Sequence, residues 1–394
     1  MVRLVKPLGQ VARRHAWALG AIGLGVGLVS VMAPSTEAHK AITSKYNYTE
    51  HVFPILRDRC ARCHYQGGPT PMSLTTYLDA VPWAESMREQ LVGEKMPPWY
   101  ADPTGPAVKG GHTISTRELD VLVTWATGGT PNGPIGKQDV PEVKPPAPWR
   151  AGKPDLEVKM PKAHDLPAGT QEDEFEATIP TGLTEEKWVK AVDISPGDTS
   201  MVRDAVIALE NGTVLGLWVP GYDAIAAPNG TGFKLPANAS LKLKLHYKKS
   251  WQDEQNAKSD QTTVGLYFTD APLSGKTIEA LEVKGPETNA PGSSPAFNGT
   301  MKTGARVVAL RPSFDQGYKD AVVEAVLPNN RRVTVMKFRA PQPLWYRRYW
   351  LTEPIELPAG TRLEVKATPA IVDEFAPPVQ KRYPLQVTFD YVPQ

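Results

Sequence analysis

Cysteine is almost absent. Two of 394 residues are cysteines, and both fall in one stretch, "CARCHYQGG", as Cys60 and Cys63, with His64 directly after. A disulfide between them would close a tiny loop and gain little stability. A zinc site would want four ligands, and there are no further cysteines to supply them. Histidine is also scarce: beyond residue 154 there are only His164 and His246. The formal charge is nearly balanced, at +2, and nothing resembles a nucleic-acid-binding motif, so no nucleic-acid partner is expected. No internal repeat is visible. Proline, in contrast, is abundant, with 39 residues against an average usage of ~5%. Long helices do not tolerate that content, so most of the chain should be strand and loop. The apolar fraction, 41%, is that of a globular protein. A chain of this length implies two or three domains, because one core rarely grows past ~250–300 residues.

The first 38 residues read as a targeting segment. Arg3, Lys6, Arg13 and Arg14 precede an apolar and small-residue run from Ala16 to Ala33, and "STEAHK" offers a small-residue exit after Ala38. That is the order of a secretory signal. The run is near the ~18-residue threshold for a span, so the alternative is an uncleaved anchor, the only way this chain would meet a membrane. The expected location is outside the cytoplasm, in the periplasm or on the extracellular side of the membrane in a bacterium.

Residues 39–139 read as a small all-α domain. Ser115 can cap a helix, Glu118 is its reciprocal partner, and Ile114 can staple onto Leu119. Leu119, Leu122, Val123 and Ala126 then share one face, and Gly128–Gly129 ends the helix. Further helices are expected over Pro82 to Val92 and Val52 to Arg59. Residues 140–154 carry five prolines and read as a stiff linker. After it the period changes. "LKLKLHY" (241–247) alternates strictly, "VTVMKF", "TRLEVKA" and "LQVTFDYV" are similar, and "ENGT", "APNGTG", "PNNRR" and "PAGT" are turn signals between such runs. The pattern predicts two tandem all-β sandwiches, 155–272 and 273–394.

C-x-x-C-H is the attachment pattern for a c-type haem. Two thiols reach the two vinyl groups on one edge of the porphyrin, and the next residue turns its imidazole onto the iron. Cys60 and Cys63 would form the thioethers of one covalent haem c, with His64 as the proximal ligand. Met96, in "GEKMPPWY", is favoured as the sixth ligand because the two prolines after it hold the backbone extended. Met72, Met87 and His112 are its rivals. Pro69 or Pro71 would accept a hydrogen bond from the free ring nitrogen of His64. Trp83 and Trp99 would pack on the haem or simply fill the core.

Residues 50–133 resemble a class I monohaem cytochrome c. The string "VFPILRDRCARCH…PMSLTTYLDAVPWA…KMPPWYADP" is similar to a subgroup often fused to copper type II, ascorbate-dependent monooxygenase-like domains. That group includes dopamine β-monooxygenase and peptidylglycine hydroxylating monooxygenase. "WRAGKPDLEV", "IPTGLTEEKWVKAVDISPG" and "LTEPIELPAGTRLEV" continue the resemblance, which implies two β-sandwiches and, in the family, two coppers held by histidines and one methionine. Here "SMVRDAVIAL" offers Arg203, Asp204 and Ala205 where the first site needs a His-His pair. "LRPSFDQG" offers Ser313, Phe314 and Asp315 where the second needs His-x-His, and Met336 falls too early for its methionine. Only His246 matches a ligand position, and the alternation sets it among Lys242, Lys244 and Lys248, a poor setting for a cation. Copper is not expected.

The reading is an exported electron-transfer cytochrome, leaning away from an enzyme. Its partner would be a redox protein, alone or within a larger respiratory or oxidoreductase complex, and a copper-free β region would serve binding or assembly. The alternatives are a copper monooxygenase fed by its own cytochrome and a haem enzyme or gas sensor. "PLWYRRYW" (343–350) would be a docking surface with arginines on rings, or strand packing with a solvated basic face.

Overall fold

Strict alternation along residues 240–248 puts Leu241, Leu243, Leu245 and Tyr247 on one face, and all four are fully buried. Burying each is worth roughly 2 kcal/mol, which fixes the register of the strand. The computed structural model describes residues 43–287, 292–370 and 383–394. The leader expected over 1–38 lies outside them. No helix among the described residues is long and apolar enough to cross a membrane.

The first ten strands are β1 (Leu156–Lys159), β2 (His164–Leu166), β3 (Glu172–Pro180), β4 (Lys187–Ser195), β5 (Val202–Leu209), β6 (Val214–Trp218), β7 (Phe233–Leu235), β8 (Ser240–Lys248), β9 (Lys258–Asp260) and β10 (Thr263–Thr269). They form two four-stranded sheets, β3-β8-β5-β6 and β1-β10-β4-β7, with β2 and β9 as a small pair. Eight more follow: β11 (Glu279–Lys284), β12 (Ala296–Met301), β13 (Ala305–Ser313), β14 (Tyr318–Val326), β15 (Arg332–Arg339), β16 (Tyr349–Leu357), β17 (Thr361–Pro369) and β18 (Gln386–Pro393). Their sheets are β11-β18-β13-β16 and β12-β17-β14-β15. Each pair of sheets encloses its own apolar core, as layered antiparallel sheets must. The β-rich part is therefore compatible with the sandwiches expected from the alternation.

The expected all-α domain is not there. The chain is mostly β, and the N-terminal region holds only short helical pieces. Helical turns run over Tyr48–Val52, Phe53–Ile55 and Leu56–Cys60, and two longer helices follow, α1 (Ala84–Val92) and α2 (Thr116–Thr127). The capping box forms as its residues dictate, with Ser115 and Glu118 bonded reciprocally. The buried stripe of α2 is Val121, Leu122 and Trp125, so only Leu122 of the expected face is fully inward. Trp125 packs near Tyr48, with ring centroids 6.1 Å apart, and donates to the Pro131 carbonyl at 3.1 Å.

What denies this region independence is the stretch between the two helices. Pro97, Pro98, Pro103 and Pro106 withhold N–H donors and keep the backbone extended. It runs along the second sandwich as an added edge. Ala101 bridges Phe338 and Val108 bridges Leu351. Asp102 N donates to the Lys337 carbonyl at 2.9 Å, and Arg339 N donates to the Tyr100 carbonyl at 2.8 Å. Tyr100 and Ala101 are buried in the second sandwich's core. Residues 44–394 accordingly form one compact unit.

A fragment covering residues 39–139 should therefore lack a cooperative thermal transition by circular dichroism, because its prolyl stretch loses the sheet it borders. A sharp melt with a native-like baseline would show the region to be self-sufficient. A second expectation concerns Asp193 of β4, which is 2% exposed. Burial pushes its carboxyl up to about 7 from the usual 3.8, with the nearby Asp223 adding to the rise and the Ile194 N–H opposing it. Because the folded-state value is raised, its proton is held more tightly when folded. Stability is intact below pH 4, falls as pH climbs from 4 to 7, and is level above that. Asp193→Asn should raise the melting stability at pH 8 by about 2–4 kcal/mol and make no difference at pH 4. An equal gain at both pH values would show that the charge is not the cause.

Candidate functional site

The turn that follows Leu56–Cys60 gathers the sequence motif into one place. Cys63 N and His64 N both donate to the Cys60 carbonyl, at 3.1 and 2.9 Å. This curls Cys60, Cys63 and His64 around the rim of a single cleft. Beyond it, Leu74 N donates to the His64 carbonyl at 3.0 Å, and Thr70 Oγ1 donates to the Cys63 and Met72 carbonyls at 3.1 and 2.9 Å. Gly68 is obligatory here, since a Cβ would lie 2.6 Å from the Cys63 carbonyl oxygen.

The cleft is open to solvent and holds a cavity of about 160 Å³. Its apolar walls come from α1 and α2 through Met87, Leu91 and Leu122, from the helical turn before α1 through Trp83, and from loops through Met72, Leu74 and Met96. Three of the expected residues, His64, Met96 and Trp83, thus share the cleft with both cysteines. The sixth-ligand rivals Met72, Met87 and His112 line it too.

Two expected neighbours are elsewhere. Pro69 is buried in an adjacent cavity with Arg62, Tyr65 and Arg150. Neither it nor Pro71 bonds His64, whose Nδ1 is buried without a hydrogen-bond partner. Trp99 turns away from the cleft toward the sandwiches. Its ring stacks on Tyr222 at 6.0 Å and meets Tyr349 edge-on at 5.1 Å. The prolines on its N-terminal side carry it onto the sheet edge.

Both thiols are free. Burial pushes Cys60 up to about 12, reinforced by the neighbouring Cys63. Burial also raises Cys63, to about 11, against the pull of Arg347, Arg150 and Arg62. Burial pushes His64 below its ordinary value, with the Met72 backbone opposing. His112 is driven down to about 4, first by burial and then by Arg62. Arg62 Nη1 lies 3.0 Å from His112 Nε2, so a donating guanidinium makes that nitrogen an acceptor in a neutral ring.

The sequence did not mark the roof of the cleft. Gly221 and Tyr222, from the loop after β6, close one side, and Trp345, from the loop before β16, closes another. Cys63 Sγ donates to the Pro220 carbonyl at 3.4 Å. A Cβ on Gly221, whose φ is +77°, would lie 2.3 Å from that sulfur. Arg62 donates to the Gly221 carbonyl at 3.0 Å and pairs with Asp223 at 3.2 Å, and Arg150 pairs with the same carboxylate at 2.6 Å. Loops carry no periodic signal, which is why these contacts escape a sequence reading. Gly221 in "VPGYD" was the one hint, as a turn glycine. "PLWYRRYW" is neither a docking surface nor a solvated face. Arg347 and Arg348 are buried, and Arg348 ties the sandwiches together through Asp390 at 2.7 Å and the Val214 and Leu215 carbonyls at 2.7 and 2.8 Å.

His246 lies on β8 opposite Asp204 of β5 and Glu174 of β3. It is 5% exposed, held between Asp204 Oδ2 at 3.1 Å and Glu172 Oε1 at 2.7 Å. Carboxylates, rather than the alternating lysines, are what it faces. Lys244 and Lys248 pair with Glu174 and Glu172. Of the residues weighed as copper ligands from the resemblance, Arg203 donates to the Ser200 carbonyl at 2.9 Å, and Met336 sits in the second core.

No family model matches the chain, and no curated protein does. Among solved structures it is similar to the major capsid protein P2 from bacteriophage PM2, at 8% identity over 59% of this chain and 97% of that one, with a TM-score of 0.25. A fucolectin from striped bass (Morone saxatilis) serum matches at 10% identity over 59% and 85%, with a TM-score of 0.17. An allantoicase matches at 11% over 55% and 76%, with a TM-score of 0.18. Likenesses this slight identify neither a fold family nor an activity.

Proposed function

We propose that the protein is an exported carrier of single electrons that holds one haem c in the cleft. The observation that carries this reading is the donor set. The chain's only two thiols and an imidazole sit on one turn, at the rim of a largely apolar cleft that also presents a thioether at Met96. The residues fit the group. Cys60 and Cys63 would take the two vinyl edges, His64 would ligate through one ring nitrogen, and Met96 would supply the sixth ligand. Bound there, a haem supplies a one-electron couple. The apolar walls would keep water out, and with His64 and Met96 both as ligands the iron would suit electron transfer rather than binding of oxygen or peroxide. His112 is the weaker rival of Met96, because its Nε2 is engaged by Arg62.

On this reading the β region walls the cleft, and the electron partner is another redox protein. The similarity to copper monooxygenases is kept only as the expected ancestry of that scaffold, and His246 serves as a salt-bridged strand residue.

Intact-mass analysis of the full-length protein, purified from an exporting bacterial host that matures c-type cytochromes, should show one added tetrapyrrole that Cys60→Ala and Cys63→Ala each fail to hold stably. Unmodified wild-type mass would sink the reading. Met96→Ala should convert a low-spin spectrum to a high-spin one that readily binds carbon monoxide when reduced, while Met72→Ala and Met87→Ala keep the low-spin form. An unchanged Met96→Ala spectrum would move the ligand elsewhere.

A further inference from the structure

Arg347 is anomalous. It is 5% exposed; its Nε donates to the Trp345 carbonyl at 3.4 Å, yet both its terminal nitrogens are buried without a hydrogen-bond partner, and no carboxylate among the described residues pairs with it. Its neighbour Arg348 shows the ordinary solution, a carboxylate plus two carbonyls. A buried cation without a counter-charge is expensive to keep. What accommodates Arg347 is aromatic: its guanidinium lies 3.5 Å from the Tyr222 ring centroid and 5.6 Å from that of Trp99.

The surroundings do not neutralise it. Of the three guanidiniums near Cys63, those of Arg62 and Arg150 share Asp223, and His112 adds no negative charge. The same residues connect Arg347 to the cleft. Tyr222, on which it stacks, lines the cleft, as does Trp345 two residues before it, and Gly221 abuts Cys63 Sγ.

Resting on the function proposed above, we infer that Arg347 is a fixed cation that raises the reduction potential of the group held by Cys60, Cys63 and His64. Uptake of one electron, from a mediator in a titration or from a one-electron redox protein, lowers the positive charge in the cleft by one unit. A neighbouring cation in a medium of low dielectric favours that reduced state, and burial and fixed charge are among the means by which a protein tunes such a couple. Arg347 is a positioning charge that need touch neither ligand.

The test is a spectroelectrochemical titration of the full-length haem-loaded protein. Arg347→Met should shift the midpoint to lower potential with the axial-ligand spectrum unchanged, and Arg347→Lys, which keeps the charge, should stay close to wild type. Should Arg347→Met fail to load haem, Arg347→Gln is read in its place. A midpoint unmoved in the neutral variants, or moved equally in Arg347→Lys, would overturn the inference while leaving the carrier function standing. Loss of haem in all three would make Arg347 a structural residue and overturn it likewise. A wild-type protein without covalent haem would remove the proposed function itself, which intact mass reports separately from any midpoint.

Discussion

The extended prolyl stretch between α1 and α2 is the constraint on which the architecture turns. It bonds to Lys337 and Arg339 on one side and brings Trp99 and Tyr100 against Tyr349 on the other. Without those contacts the cysteine-bearing turn would have no fixed relation to either sandwich. With them, a single cleft is built from residues as far apart in the chain as Arg59 and Trp345. The stretch lacks N–H groups at its prolines, so it can border a sheet without inviting a further strand.

Charge is distributed over this junction with a purpose visible in the pairing. Arg62 and Arg150 converge on Asp223 and pin the loop after β6 against the motif. Arg348 does the same between the sandwiches through Asp390, which it shares with Arg311 at 3.0 Å. The pairs on Asp390 are buried; such pairs contribute little net stability against their desolvation but define geometry, because leaving one partner alone would be costly. Arg347 is held by rings and by the Trp345 carbonyl, with no carboxylate among the described residues to cancel its field.

Local patterns in the sequence translated well into local structure. The capping box of α2 and the alternation of β8 rest on neighbours a few residues away, and both form. The cysteine-histidine motif likewise folds onto one turn, because its spacing is closed by the Cys60 carbonyl. What the sequence could not convey is which distant loop covers what. Tyr222 and Arg347 lie far from Cys63 in the chain and reach it through irregular segments, and "PLWYRRYW" looks amphipathic although it faces inward. The expected independent helical domain failed for the same reason: helix signals are local, whereas Tyr100 and Ala101 find their core in strands more than two hundred residues later. His246 was misjudged because the strand pattern shows its own lysines and hides the carboxylates of the flanking strands.

The fit of Gly221 over Cys63 also bears on the order of assembly. Once the first sandwich has formed, Pro220 and Gly221 rest against Cys63 Sγ and cover one side of it. During synthesis, residues 60–63 emerge some 160 residues ahead of that lid. Until that loop arrives, Cys63 lacks the neighbour that crowds one face of its sulfur, while Cys60 never acquires it.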